Sequence, residues 1–357
     1  MLSGAGGRDK ASRGEGYGSP YADAGAPVSE ELRQSLEARL PALVGGPVEI
    51  AKLALLAGGA SMEAWALEVR APSGPLSLVL RRAAGGRIYP DALSLEHEHA
   101  LIAEAHRSGV KVPRPYGFLP DLAGHDAFLM DRLHGETVGR RIVRLPELAR
   151  ARTALPVQMA EELARIHALD PARLPFLPGT GAPSAARRAI EGLLAQLDSA
   201  AEPHPAIELG VAWLRENLRD TGPAVVVHGD FRIGNLMVGP EGLEGVLDWE
   251  FARLGDALED VAWPLVKAWR FGVDRLRLGG IAEERAMIDR YAQLTGREID
   301  RADLHAYEVL GNVRWAVGSL QQAQRHLRGE EKSVELAILG RLACEVEHEI
   351  LDLLEEG

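Results

Sequence analysis

Apolar positions change rhythm along this chain. Leu32, Leu36 and Leu40 recur one turn apart behind Ser29, Glu30 and Glu31, which predicts a helix capped by Ser29 and stopped near Pro41. Three short aliphatic runs follow, at 48–56, 64–70 and 76–81, separated by Gly and Pro, and predict an antiparallel meander. A helical period over 93–107 ends at Ser108-Gly109. Pro113-Arg114-Pro115 then forces extended chain ahead of a strand pair ending near 127–133. Beyond residue 140 the pattern is mostly helical, interrupted by the apolar run Val225-Val226-Val227 and by a hairpin pattern over 235–248. The expected fold class is α+β, a small antiparallel sheet with one main helix followed by a larger helical part.

The first 27 residues contain almost no large aliphatic side chains and are expected to be a disordered tail. That leaves 28–133 and 134–357 as two lobes. With 357 residues, 46% of them hydrophobic, the chain can bury two cores without disulfides, and its single cysteine, Cys344, has no intramolecular partner. No stretch reads as a signal peptide or a membrane span, so a cytoplasmic location is expected. A formal net charge of −12 argues against a nucleic-acid partner, and no protein partner is implied.

The chemistry concentrates between Val225 and Glu250. Asp230 follows a buried strand in His228-Gly229-Asp230, Asn235 lies five residues on, and Asp248 closes the predicted hairpin in Leu247-Asp248-Trp249-Glu250. A turn centred on Glu241-Gly242 places Asn235 opposite Asp248, where an amide oxygen and a carboxylate can share one hard cation with phosphate oxygens completing its shell. Singly, such residues are ordinary turn formers. Together, His-Gly-Asp-x-x-x-x-Asn with a downstream Asp has the order and spacing of a phosphoryl-transfer loop, Asp230 acting as base and Asn235 and Asp248 holding Mg2+.

With these motifs, and with the segments at 56–61, 79–82, 112–115 and 163–170, the chain resembles the aminoglycoside and choline kinase-like phosphotransferases. It is most similar to the branch related to the kinase module fused to acyl-CoA dehydrogenases. The resemblance runs from about Val48 to about Trp269. It implies a bilobal protein-kinase-like fold, ATP as donor with GTP as an alternative, Mg2+, and a small-molecule hydroxyl acceptor. It further implies that Gly58, Gly59, Ala60 and Ser61 approach the nucleotide phosphates, and that Met130, Asp131 and Leu133 form a hinge along the purine. The usual phosphate-binding lysine is replaced by Arg81, whose fork differs in geometry but keeps the charge. Glu98, on the apolar stripe of the 93–107 helix, is its expected partner.

Other polar residues have structural readings. His167 and His228 are expected to brace the loop, Asp256 to cap a helix and Asp260 to anchor loop backbone, while Arg232 either holds Asp230 or neutralises transferred phosphate. Trp263, Lys267, Trp269, Arg270, Arg314 and Trp315 suggest an aromatic, basic acceptor pocket suited to a hydroxyacid or hydroxyacyl thioester. Competing functions are an aminoglycoside O-phosphotransferase, an inactive nucleotide-binding regulatory module, and a metal-dependent phosphohydrolase.

Overall fold

The computed structural model describes residues 29–58, 62–84, 92–179, 184–198 and 202–357. The expected tail over 1–27, and Gly59, Ala60 and Ser61 of the glycine turn, lie outside the described residues. Helix α1 (Glu30–Val44) starts where Ser29 Oγ accepts the Leu32 N–H at 3.1 Å. It does not stop at Pro41. The chain continues to Val44 and closes at Gly45, in a left-handed conformation, whose N–H bonds the Pro41 carbonyl. Proline deletes one bond of the helical ladder there, but the extra turn seats Leu43 against the sheet.

Strands β1 (Glu49–Gly58), β2 (Met62–Ala71) and β3 (Gly74–Ala83) form the meander, α2 (Leu95–Arg107) follows, and β4 (Pro115–Leu122) and β5 (His125–Asp131) complete the sheet. The strand order is β1-β2-β3-β5-β4, antiparallel throughout. Alternation sends Trp65, Leu67, Val69, Leu78 and Leu80 to one face, where they meet Leu32, Leu36 and Leu40 of α1. The opposite face carries Val79, Phe128 and Met130 toward Leu101, Ile102 and Ala105 of α2. That apolar group continues into the helical lobe through Leu155, Met159 and Leu163, so α2 shares a core with the elements that carry the site.

The second lobe contains α3 (Gly139–Ile142), α4 (Ala149–His167), α5 (Ala185–Leu197) and α6 (Pro205–Asn217). Next come β6 (Val225–Val227), β7 (Leu236–Gly239), β8 (Gly242–Val246), β9 (Arg253–Gly255) and α7 (Ala257–Ala262). Helices α8 (Arg285–Thr295), α9 (Arg301–Leu327) and α10 (Val334–Glu356) close the chain. Strands pair as β6-β9 and β7-β8, two short ribbons set among helices. This is the bilobal α+β arrangement. No described helix is long and apolar enough to cross a membrane.

Leu36 is fully buried between α1 and the sheet. Leu36→Ala is expected to remove about 2–5 kcal/mol of stability in urea unfolding, through lost transfer energy and the cavity left behind. A loss well below about 1 kcal/mol would mean that α1 is not part of the N-lobe core.

Candidate active site

The loop after β6 is shaped by a glycine and a buried carboxylate. Gly229 has φ +82, and a Cβ there would lie 2.4 Å from the Phe251 carbonyl oxygen, so a side chain is excluded by both strain and space. Asp260 of α7 is completely buried and accepts the N–H groups of His228 at 2.6 Å and Gly229 at 2.9 Å. It also accepts His167 Nε2 at 3.2 Å, while His167 Nδ1 faces the Tyr291 hydroxyl at 2.6 Å. Burial alone would raise the Asp260 carboxyl. The His167 hydrogen bond and the His228 backbone outweigh it and hold the group ionised below its ordinary range.

His228 is fixed in one neutral tautomer. Its Nε2 lies 3.0 Å from the Leu247 carbonyl, which can only accept, so Nε2 carries the proton and Nδ1 accepts the Asp230 N–H at 3.2 Å. Burial lowers its pKa. With both ring nitrogens engaged, His228 is a brace and has no free lone pair for a substrate proton.

Asp230 is 9% exposed, and its carboxylate is held on both sides. Oδ1 accepts Arg232 Nε at 2.9 Å and Trp263 Nε1 at 2.6 Å, and Oδ2 accepts Asn235 Nδ2 at 2.6 Å. Burial raises its pKa against the opposing Arg232 charge. The choice left open for Arg232 is thereby narrowed: the guanidinium clamps Asp230 and stacks 4.1 Å from the Trp269 ring centroid.

The β7-β8 register differs by one residue from the sequence expectation. Gly239 pairs with Gly242, a register shift follows between Met237 and Val238, and the Asn235 carbonyl accepts the Leu247 N–H at 2.8 Å. Asn235 therefore opposes Leu247 rather than Asp248, and the turn centres on Pro240-Glu241. Asp248 stands one residue further on with φ +65. That left-handed turn of the backbone, sparsely used by non-glycine residues, is what sets the direction of its side chain.

Arg81 of β3 crosses from the sheet to this loop. Its Nη1 lies 3.1 Å from both Glu98 Oε1 and Asp248 Oδ1, linking β3, α2 and the segment after β8. Glu98 is fully buried, and burial pushes its carboxyl up to about 7 despite Arg81. Glu250, which sequence reasoning passed over, joins the group: burial and the Asp248 charge push it up to about 7. Asp230, Asp248, Glu98 and Glu250 thus face the guanidinium groups of Arg81 and Arg232, an excess of negative charge that favours a further cation. No group of three or more His, Cys, Asp or Glu among the described residues could hold a metal alone. A metal on Asn235 and Asp248 would take the rest of its shell from phosphates and water, as magnesium does.

At the hinge, the Asp131 and Arg132 N–H groups are given to the carbonyls of Arg114 and Ser77, each at 2.9 Å, and Tyr116 donates to Asp131 Oδ1. Met130 is buried, and Leu133 is partly exposed. Gly58 ends β1 opposite Glu63. Asp256 caps α7 in a capping box with Glu259.

The basic acceptor pocket is not formed as expected. Lys267 pairs with Glu349 at 3.0 Å, buried Arg270 pairs with Glu308 at 3.2 Å and Glu349 at 3.0 Å, and Arg314 pairs with Glu259 at 3.1 Å. These cations are neutralised by carboxylates distant in sequence and are not available to an anionic acceptor. The tryptophans do cluster: Trp269 meets Trp263 at 5.6 Å and Trp315 at 6.2 Å between centroids.

Residues 52–305 match the profile of a family described as "Phosphotransferase enzyme family". The chain belongs to this family. Acyl-CoA dehydrogenase family member 11 of Gallus gallus is 31% identical over 197 residues, covering 53% of this chain and 25% of that protein. The chain therefore spans only a fraction of that relative. Among solved structures, a Ralstonia eutropha protein assigned as an aminoglycoside phosphotransferase superposes with TM-score 0.70 at 23% identity, covering 91% of this chain and 98% of that one. A thermostable mutant of an aminoglycoside phosphotransferase, in ternary complex with ADP and hygromycin B, gives TM-score 0.57 at 18% identity, covering 89% and 98%.

The Arg81–Glu98 contact is buried; removing Arg81 strips Glu98 of its cation, while removing Glu98 leaves Arg81 with Asp248 alone. A double-mutant cycle with Arg81→Met and Glu98→Gln is expected to give a coupling of about 0.5–3 kcal/mol in unfolding free energy. Additive losses would show that the two charges are satisfied independently.

Proposed function

We propose that this protein transfers the γ-phosphoryl group of ATP to a hydroxyl of a small molecule, with Mg2+, and that the acceptor is a hydroxyacid or its acyl thioester. The observation that carries the kinase chemistry is the Asp230 carboxylate. It is buried and fixed by three donors, Arg232, Trp263 and Asn235, the last of which is itself a candidate metal ligand. In this reading Asp230 orients the acceptor hydroxyl and receives its proton as the oxygen attacks phosphorus. Asn235 and Asp248 hold magnesium, which when bound supplies charge neutralisation for the phosphates. Arg81, held by Glu98 and next to Asp248, would offer its guanidinium to the phosphates. Gly58 would approach the phosphates, together with Gly59, Ala60 and Ser61, which lie outside the described residues. The Asp131 carbonyl and the Leu133 N–H would meet the purine edge, since the Asp131 and Arg132 N–H groups are given to the carbonyls of Arg114 and Ser77.

Similarity to a relative named for acyl-CoA dehydrogenation supports the choice of acceptor. Lys267, Arg270 and Arg314 do not, because their charges are spent inside the lobe. The ternary complex of the structural neighbour with hygromycin B supports the alternative, an aminoglycoside acceptor. Incubation with ATP, Mg2+ and a panel of hydroxyacids, hydroxyacyl thioesters and kanamycin-like amines decides between them by the product that gains phosphate. Turnover of the amines alone would refute the acceptor assignment, and no phosphorylated product with any alcohol would count against the kinase.

The two acids have separable tasks. Asp230→Asn is expected to reduce phosphoryl transfer by about 10²–10⁴-fold with little change in magnesium-nucleotide affinity. Asp248→Asn is expected to weaken magnesium-nucleotide binding itself in calorimetry. Equal loss of binding in both variants would contradict this division.

A further inference from the structure

We propose that Trp263 and Trp269 are positioning residues for the base, Trp263 through its indole N–H and Trp269 through Arg232, and that together they leave Asp230 Oδ2 as the atom that receives the acceptor proton. This inference rests on the kinase reading above. Four side chains form a closed circuit. Trp263 Nε1 donates to Asp230 Oδ1 at 2.6 Å, and Arg232 Nε donates to the same oxygen at 2.9 Å. The Arg232 guanidinium lies 4.1 Å from the Trp269 centroid, and Trp269 meets the Trp263 ring at 5.6 Å. Removing any member loosens two of the remaining three.

The geometry assigns the oxygens different tasks. A carboxylate oxygen has two lone pairs in its plane, and both of those on Oδ1 are taken by Trp263 and Arg232. Oδ2 holds one bond, from Asn235 Nδ2 at 2.6 Å, and keeps a lone pair. The acceptor proton passes to that lone pair as its oxygen bonds phosphorus, and the bond from phosphorus to the leaving ADP oxygen breaks with its electron pair. Without the two Oδ1 donors, the carboxylate can rotate about its Cβ–Cγ bond and the free lone pair loses its direction.

The seat of Trp263 is built for this contact. Trp263 is 8% exposed and follows α7, the helix whose Asp260 fixes the same loop from the other side. Gly311 of α9 lets that helix close over it: a Cβ there would stand 2.7 Å from Val266 and 3.5 Å from the Trp263 ring. Trp315 backs Trp269 edge-on at 6.2 Å, so the ring that carries Arg232 is itself held.

The test is MgATP turnover with water as the acceptor, on the full chain. Trp263 is replaced by 3-benzothienylalanine, in which sulfur stands in place of the N–H while ring shape is kept, and separately by Phe. Both are expected to lower kcat by about tenfold or more while KM for MgATP stays within about twofold. Trp269→Leu is expected to lower kcat in the same way, and Trp269→Tyr, which keeps an aromatic face, to restore most of it. An isostere that turns over at the wild-type rate would reduce Trp263 to packing and overturn the proposal. A second readout needs no turnover. In spectra of ¹⁵N-Trp-labelled protein, the Trp263 indole N–H signal is expected to shift on Asp230→Ala, and an unmoved signal would equally contradict the proposal. Unchanged turnover in Asp230→Asn would instead break the kinase reading itself.

Discussion

Everything at this site hangs on the Asp260 carboxylate. It has no contact with solvent, yet it accepts two consecutive backbone N–H groups from His228 and Gly229 and a ring nitrogen from His167. A buried acceptor satisfied in this way is expensive to disturb, because each lost donor leaves charge unpaired in a poor dielectric. The anchored backbone fixes Gly229 in its left-handed conformation, which aims Asp230, and it fixes the His228 ring, whose two nitrogens tie Asp230 to Leu247 just before Asp248. One buried acid in α7 thus sets both Asp230 and the approach of Asp248.

Charge is distributed unevenly about that anchor. On the cleft side, Asp230, Asp248, Glu98 and Glu250 outnumber Arg81 and Arg232, and burial, with the Asp248 charge adding to it, raises the carboxyls of Glu98 and Glu250. On the far side, Lys267, Arg270 and Arg314 are absorbed by Glu349, Glu308 and Glu259. The interior of the helical lobe is balanced and the cleft is not. Such an arrangement suits a site that completes its charge only when a divalent cation and a polyphosphate enter together.

Much of this was legible in the sequence, and the misses have physical causes. The strand-helix-strand pattern of the N-lobe, the Asp230 and Asn235 loop, and the pairing of Arg81 with Glu98 follow from period and from the rule that a buried acid needs a cation. The hairpin register did not, because a shift at Met237/Val238 moves the pairing by one, and Asp248 is directed by a positive φ that no spacing encodes. Pro41 does not end α1, because burial of Leu43 outweighs a missing bond. The fate of Lys267, Arg270 and Arg314 depends on partners 82, 38 and 55 residues away, and such contacts cannot be read from local pattern. Trp263 was legible as an aromatic residue near the site but not as a donor to Asp230, which requires knowing where α7 ends relative to β6.

The most direct measurement is a crystal structure of the protein with magnesium and a non-hydrolysable ATP analogue. The account predicts a metal at roughly 2.0–2.1 Å from oxygens of Asn235 and Asp248, phosphates against Arg81, and Asp230 Oδ2 facing the open cleft beyond the γ-phosphate. A nucleotide seated away from Arg81, or a metal that ignores Asn235 and Asp248, would contradict it.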